Sequence, residues 1–286
     1  MQLSLIICTR NRARQLTRCL EAVDRMEKPV GFELIVVDNG STDETARVIN
    51  DSAACCGYKL LYAQEPTPGL ARARNAGVKA SRGHIIAFTD DDCYVDREFA
   101  KAILRVFMTD EKLGFIGGRI LLHDPEDLRL TIQESIEPFY FPPCRFIPAG
   151  KVQGANFAFR REAMEEAGGF NLLLGAGTRF PAEDIEIVGR LSAKGWAGLY
   201  TPDPIVRHHH GRKSNYERKK LLAGYDIGRG AYFLSMLEHP TVRVSAMKHW
   251  CWKIRTQSLG RTVRELSGAV GYFFNRLLKN PRRSRS

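Results

Sequence analysis

Two hydrophobic periods alternate along the first 120 residues, and no other feature constrains the fold as much. Residues 3–8 are an apolar run, interrupted only by Ser4 and ended by the polar turn TRNR. Leu16, Cys19, Leu20 and Val23 follow at i, i+3, i+4 and i+7, one face of a helix, which Pro29 and Gly31 stop. Residues 34–37 read as a second strand. Ser41 and Glu44 have capping-box spacing before Ala46, Val48 and Ile49, so a second helix is expected to open there. A strand at 59–63, a small-residue helix at 70–80 and a strand at 85–88 come next. Phe99, Ile103, Val106 and Phe107 mark a fourth helix, and 115–120 a fifth strand. This order implies an α/β fold, a mostly parallel sheet covered on both faces. Ligands of such sheets bind beyond the carboxyl ends of the strands.

Those ends carry Thr9-Arg10-Asn11, then Asp38, then Asp90-Asp91-Asp92. Three adjacent carboxylates repel one another, and each is costly to bury. A hard cation such as Mg²⁺ or Mn²⁺ relieves both problems, and Mg²⁺ usually shares its sphere with substrate phosphates. The plainer alternative is a solvated acidic turn with Asp96 as the N-cap of the next helix. Convergence of three polar clusters on one sheet edge favours the cation.

Beyond residue 120 the pattern weakens. Residues 121–150 have no clear period and hold five prolines, so they read as a loop-rich insertion. A strand is expected at 155–159, helices at 161–167 and 183–193, and short strands at 199–201 and 205–206 before His208-His209-His210. The glycine-rich turn of a dinucleotide site is missing, because the first turn is CTRNRA. GxxxxGK[ST], HExxH and GxSxG are missing too.

Composition bounds the rest. Seven cysteines, an odd number without CxxC, read as reduced thiols of a cytosolic protein. The start lacks the regions of a signal peptide, and no apolar run approaches a membrane span. The net charge of +11 is concentrated: residues 243–286 hold 11 of 43 Lys and Arg and one acid, Glu265. In that tail Leu259, Val263, Leu266, Val270, Phe273 and Leu277 share one helical face. Arg261, Arg264, Arg276 and Lys279 fall mainly elsewhere, and Arg282, Arg283 and Arg285 follow. Trp250 and Trp252, just upstream, suit a headgroup layer. Such a basic amphipathic segment can lie on an anionic membrane surface, or pack on the folded domain or a second subunit as a homodimer. The expected division is a domain at 1–242, with a nucleotide-binding part at 1–120 and an acceptor-side part at 121–242, and a tail at 243–286.

Five stretches carry a resemblance: IICTRNR (6–12), ELIVVDNGSTDET (33–45), GLARARNAGVKASRGHIIAFTDDD (69–92), GANFAFRREAMEEAGGF (154–170) and EDIEIVGRLSAKGW (183–196). In this order they resemble a family 2 glycosyltransferase of the Rossmann-like GT-A fold. The resemblance implies that Thr9, Arg10 and Asn11 line a nucleotide pocket and that Asp38 accepts hydrogen bonds from the base. It brings Arg72, Arg74 and Asn75 to the sugar–phosphate region. Asp38 could instead cap its turn, and the arginines could be a solvated helix face. Asp90-x-Asp92 matches a metal motif for Mn²⁺ or Mg²⁺, with Asp91 on the metal or on sugar hydroxyls. His208 follows a VxH-like strand that completes such a site, ahead of His210. Glu183-Asp184 matches the pair that supplies the catalytic base, and Asp184 is the favoured member. Both could equally be helix N-terminal acids.

The implied reaction is inverting transfer from a UDP-, GDP- or dTDP-sugar to a hydroxyl acceptor, such as a lipid-linked glycan, at the cytoplasmic face of a membrane. Rivals are a nucleotidyltransferase, whose GGxGTRL-like start is absent, and a relative that binds sugar nucleotide without turnover. A third, a nucleic-acid-binding protein, is disfavoured because residues 1–242 are nearly neutral.

Overall fold

The computed structural model describes residues 2–279, with the Lys279 side chain outside the described atoms. Its elements run β1 (Leu3–Thr9), α1 (Ala13–Arg25), β2 (Phe32–Asp38), α2 (Thr45–Cys55), β3 (Lys59–Gln64), α3 (Leu70–Ala80), β4 (Ile85–Asp90) and β5 (Cys93–Val95). Then come α4 (Phe99–Thr109), β6 (Leu113–Leu122), β7 (Phe139–Phe141), β8 (Asn156–Arg160), α5 (Arg161–Ala167), α6 (Glu183–Ala193) and β9 (Ala197–His208). Three helices close the order: α7 (Asn215–Leu237), α8 (Pro240–Thr256) and α9 (Leu259–Lys279).

One sheet orders its strands β3-β2-β1-β4-β8-β6-β9-β5, with β7 also paired to β9. β1, β2, β3, β4, β6 and β9 share a direction, while β5, β7 and β8 oppose them, so the sheet is mixed but mostly parallel. Pleating divides β1: Leu3, Leu5 and Ile7 enter one core, with α1, α2 and α4, and Ile6 enters the other, with α3, α5, α6, α7 and α8. The chain therefore crosses the sheet between β3 and β4. That puts the switch in strand order at β1 and β4, where a crevice opens in such folds.

Several local expectations change. Helix α2 opens at Thr45, and Ser41–Glu44 is not its capping box. Asp43 Oδ1 accepts from the Thr45 amide instead, at 3.1 Å. Ser41 Oγ accepts from the Asn11 amide, because two neighbouring turns need each other's polar groups. Asp96 is not a side-chain cap: Glu98 occupies that position before α4, and Asp96 lies 3.4 Å from Arg207. The insertion at 121–150 contains β7. The two short strands near 200 are one bent strand, β9, which shifts register against β6 between Gly117 and Arg119.

The division at 242/243 falls inside α8, whose Val242 and Ala246 are buried in the second core. α9 packs on α7 through small and charged residues. Gly230 and Gly268 allow the approach, since a Cβ would lie 1.8 Å from the Glu265 carbonyl oxygen and 2.0 Å from that of Ile227, respectively. Asp226 on α7 pairs with Arg229, Arg261 and Arg264, and buried Glu265 with Arg229. The six apolar residues of the α9 stripe face outward, each at least 44% exposed. Trp252 is exposed, whereas Trp250 stacks on Phe233 with centroids 5.0 Å apart. Arg282, Arg283 and Arg285 lie outside the described residues.

Candidate active site

The register of the sheet sets the site. Thr9 pairs with Asp38 across β1 and β2, and Cys8 with Asp90 across β1 and β4, so the three strands end level. Above β1 and β4 lies a cavity of about 480 Å³. Its walls include Thr9, Arg10, Arg12, Arg74, the acids 90–92, Glu183, Asp184 and His208, all brought together from distant segments.

Asp91 and Asp92 are buried and tied from several sides. Thr9 Oγ1 donates to Asp91 Oδ2 at 2.7 Å. Arg12 bridges the pair, with Nε 2.9 Å from Asp91 Oδ1 and Nη2 2.6 Å from Asp92 Oδ2. His208 Nε2 lies 3.3 Å from Asp92 Oδ1, and Thr131 Oγ1 lies 3.2 Å from His208 Nδ1. Burial pushes Asp91 up to about 7, against the charge of Arg12. Burial also raises Asp90, more than Arg74 lowers it. Asp92 goes the other way: burial favours its neutral form, but His208 and Arg12 outweigh that and hold it below its usual range. Burial opposes protonation of His208, and Asp92 reverses the balance and raises it.

Asp90, Asp92, Cys93 and His208 each offer one ligand atom, all within 4.8 Å of one another. Two carboxylates and an imidazole suit Mn²⁺-type ions, so the residues present fit a divalent cation. Cys93 also faces this cluster, but burial keeps its thiol protonated. His209 and His210 turn away: His209 Nδ1 lies 3.1 Å from the Tyr94 hydroxyl, and His210 Nε2 2.9 Å from the Leu128 carbonyl oxygen.

Arg74 is only 3% exposed and lies over the Phe157 ring, 5.0 Å from its centroid. Its Nη1 donates to Glu183 Oε1 at 2.9 Å, and its Nη2 lies 3.5 Å from Asp90 Oδ1. It therefore links the triplet to the start of α6. Burial pushes Glu183 up to about 7, against the charge of Arg74. Asp184 is more open. Its Oδ2 accepts from the Gly154 amide at 3.0 Å and its Oδ1 from the Ile185 amide at 2.7 Å, which aims the carboxylate at the cavity edge.

Four expected site residues are placed differently. Asn11 does not line the cavity; its Oδ1 accepts from the Thr42 amide at 2.7 Å. Asp38 caps its own turn, accepting from the Ser41 amide at 2.8 Å and the Tyr62 hydroxyl at 3.1 Å, and Asn39 takes its place on the wall. Asn75 holds both polar groups of the Phe170 backbone, and Arg72 is not among the residues that line the cavity. Sequence reasoning missed Arg12, Thr131, Arg212 and Tyr225. Arg12 was legible in principle, since it stands in the same TRNR turn. Tyr225 was not, because α7 carries little hydrophobic period.

The family model described as Glycosyl transferase family 2 matches residues 4–168. Glycosyltransferase AglE of Haloferax volcanii is 25% identical over 252 residues, 86% of this chain and 79% of AglE. The probable glycosyltransferase YdaM of Bacillus subtilis is 25% identical over 215 residues, 72% of this chain and 50% of YdaM. Among solved structures, S. aureus TarS 1-349 superposes with a TM-score of 0.67 at 16% identity, covering 96% of this chain and 80% of that one. The mannosyltransferase PcManGT of Pyrobaculum calidifontis, in complex with GDP-Man and Mn²⁺, gives 0.60 at 19% identity over 97% and 82%. These likenesses establish the fold.

Proposed function

The chain belongs to glycosyl transferase family 2, and from that premise we propose that it moves a sugar from a nucleoside-diphosphate donor to an acceptor hydroxyl with inversion. One observation carries the reading: the acid triplet with His208 and the pair Glu183-Asp184 meet at one cavity on the switch point of the sheet. Structural neighbours support the donor class, since TarS 1-349 is known with UDP-GlcNAc and with UDP, and PcManGT with GDP-Man.

Asp90, Asp92 and His208 would hold a divalent cation, Mn²⁺ or Mg²⁺, which when bound supplies charge for the leaving diphosphate. The chain's own residues do the rest. Thr9 and Arg10 line the donor side, and Asp91, on the same wall, would turn to donor hydroxyls only on release from Arg12. Asp184 takes the acceptor proton as the hydroxyl attacks opposite the leaving group. Glu183 is the poorer base because it is buried against Arg74, which it holds in place. In a thermal-shift panel of UDP-, GDP- and dTDP-sugars, one class should raise the melting temperature only with Mn²⁺ or Mg²⁺ present. No shift with any of them would refute the reading, and a shift without turnover on any acceptor would indicate an inactive binder.

The reading extends to where the enzyme works. A packed helix normally turns its apolar face inward, yet α9 presents its small, polar face to α7 and its apolar stripe to the outside. Val244, Met247 and Trp252 of α8 add to the exposed apolar surface, with Lys248, Lys253 and Arg255 beside them. Among the described residues no helix is long and apolar enough to cross a membrane. An interfacial position fits: apolar residues in the acyl boundary and basic groups on anionic headgroups, each worth ~1 kcal/mol near the surface. Arg261 and Arg264 are committed to Asp226 and add less. The acceptor would then be a lipid-linked hydroxyl compound at the cytoplasmic face. The full chain should sediment with anionic vesicles at low salt, and Val263→Glu with Val270→Glu should release it. Failure to sediment, with a concentration-dependent dimer in its place, would assign the face to a second copy.

A further inference from the structure

Arg12 belongs to none of the matched roles, yet the fold takes trouble to aim it. Its neighbour Asn11 has φ 53, a left-handed conformation adopted by only three non-glycine residues among those described. Two bonds hold Asn11 there: its amide donates to Ser41 Oγ at 3.0 Å, and its Oδ1 accepts from the Thr42 amide at 2.7 Å. They fasten the turn after β1 to the turn after β2. Strain of this kind persists only where the surroundings over-determine it, and it clusters at ligand sites. Its result here is that Arg12 reaches back over the sheet edge onto the acid triplet.

Each of the four oxygens of Asp91 and Asp92 then faces a partner. Thr9 holds Asp91 Oδ2, and His208 faces Asp92 Oδ1. Arg12 faces the remaining two: its Nη2 donates to Asp92 Oδ2, and its Nε stands beside Asp91 Oδ1 as a charge contact. The acids are 8% and 9% exposed at their side chains, whereas Arg12 is 37% exposed, so the guanidinium is on the solvent side of the pair. A divalent cation that takes Asp92 must displace or repel it. A guanidinium released there remains on the wall of the cavity, beside Arg10. Its planar fork matches a phosphate better than any other side chain does.

We propose that Arg12 is an exchangeable counter-ion: it neutralises Asp91 and Asp92 while the cavity is empty and passes to the donor diphosphate when a cation takes the acids. This rests on the assignment of the cavity to a cation and a nucleoside diphosphate. It makes two binding constants move in opposite directions. Without Arg12 the acids lose a competitor, so Mn²⁺ alone should bind Arg12→Gln about fivefold more tightly, the worth of a partly exposed ion pair. The diphosphate loses a fork, so UDP or GDP at saturating Mn²⁺ should bind about tenfold more weakly.

The test titrates the full chain with Mn²⁺, followed by the electron paramagnetic resonance of free Mn²⁺, and then with UDP and GDP by calorimetry. Arg12→Lys keeps the charge without the fork. It should bind Mn²⁺ within about twofold of the unaltered protein while still losing diphosphate affinity. Opposite shifts in Arg12→Gln, with Mn²⁺ affinity preserved in Arg12→Lys, support the exchange. Both constants weakening together, or neither moving, would make Arg12 a fixed structural pair and overturn it. If the unaltered protein binds Mn²⁺ and neither nucleotide, or nothing at all, the donor-site assignment itself fails and takes this proposal with it.

Discussion

Asp92→Asn should abolish the dependence of nucleoside diphosphate binding on Mn²⁺. The change keeps the shape of the side chain and removes its charge. Asp92 is the member of the triplet that burial does not neutralise: His208 and Arg12 hold it ionised, while burial raises Asp90 and Asp91. It is therefore the anion best prepared to meet a cation at neutral pH. In the metal-free protein the loss is tolerable, because Arg12 keeps its contact with Asp91. With Mn²⁺ present the affinity for UDP or GDP should fall by about 100-fold or more, the upper range for disturbing a metal site. Calorimetry with and without Mn²⁺ reads this directly. An unchanged, still metal-dependent affinity would remove Asp92 from the site. Asp91→Asn should cost less, since burial raises Asp91 and it is not among the residues whose ligand atoms converge with His208.

Strands and helices were legible where apolar residues alternate with a clear period. The helices at 70–80, 161–167 and 183–193 have the boundaries that the sequence suggested. β1, β2 and β4 are buried on both faces and read as plain apolar runs. Helix α7 was not legible, for a physical reason. The buried face of α7 consists of Asp226, Gly228, Gly230 and Ala231 as well as aromatics, so helix packing there relies on close backbone approach and ion pairs. Neither leaves a hydrophobic period. The tail had a clear period, which identified the helix; its stripe faces out, and the small and charged residues that pack it on α7 left no such signal.

Site residues divide along a similar line. Thr9 ends β1 and Asp90 ends β4, and both line the cavity, as the crevice beyond the strand ends leads one to expect. Asn11, Asp38 and Asn75 sit in the right segments, but their polar groups satisfy the backbone of neighbouring turns. A short amide or carboxylate in a turn has that use open to it in any fold. Arg74 shows the reverse. A charge inside a small-residue helix looks like a solvated position, and it is instead the buried link between Asp90 and Glu183.

Asp184→Asn should lower the transfer rate by about 10²–10⁴-fold, the usual worth of a general base, while leaving donor binding intact. Two acids compete for that role, and their surroundings separate them. Glu183 is nearly inaccessible and spends one oxygen on Arg74, so a proton taken there would break a buried ion pair. Asp184 is half-buried on the cavity wall, with one backbone amide on each oxygen. Those amides fix its direction and leave a lone pair on each oxygen for an acceptor hydroxyl. An asparagine keeps one of the two bonds and turns its Nδ2 towards the other amide, at a cost of about 1 kcal/mol in stability. Calorimetry with donor and Mn²⁺ should therefore show near-normal affinity at reduced turnover. Glu183→Gln supplies the contrast. It loosens Arg74 and with it Asp90, so its damage should appear in donor binding as well as in rate. If Asp184→Asn keeps near-normal turnover while Glu183→Gln loses rate with donor affinity unchanged, the two roles are reversed and Glu183 is the base.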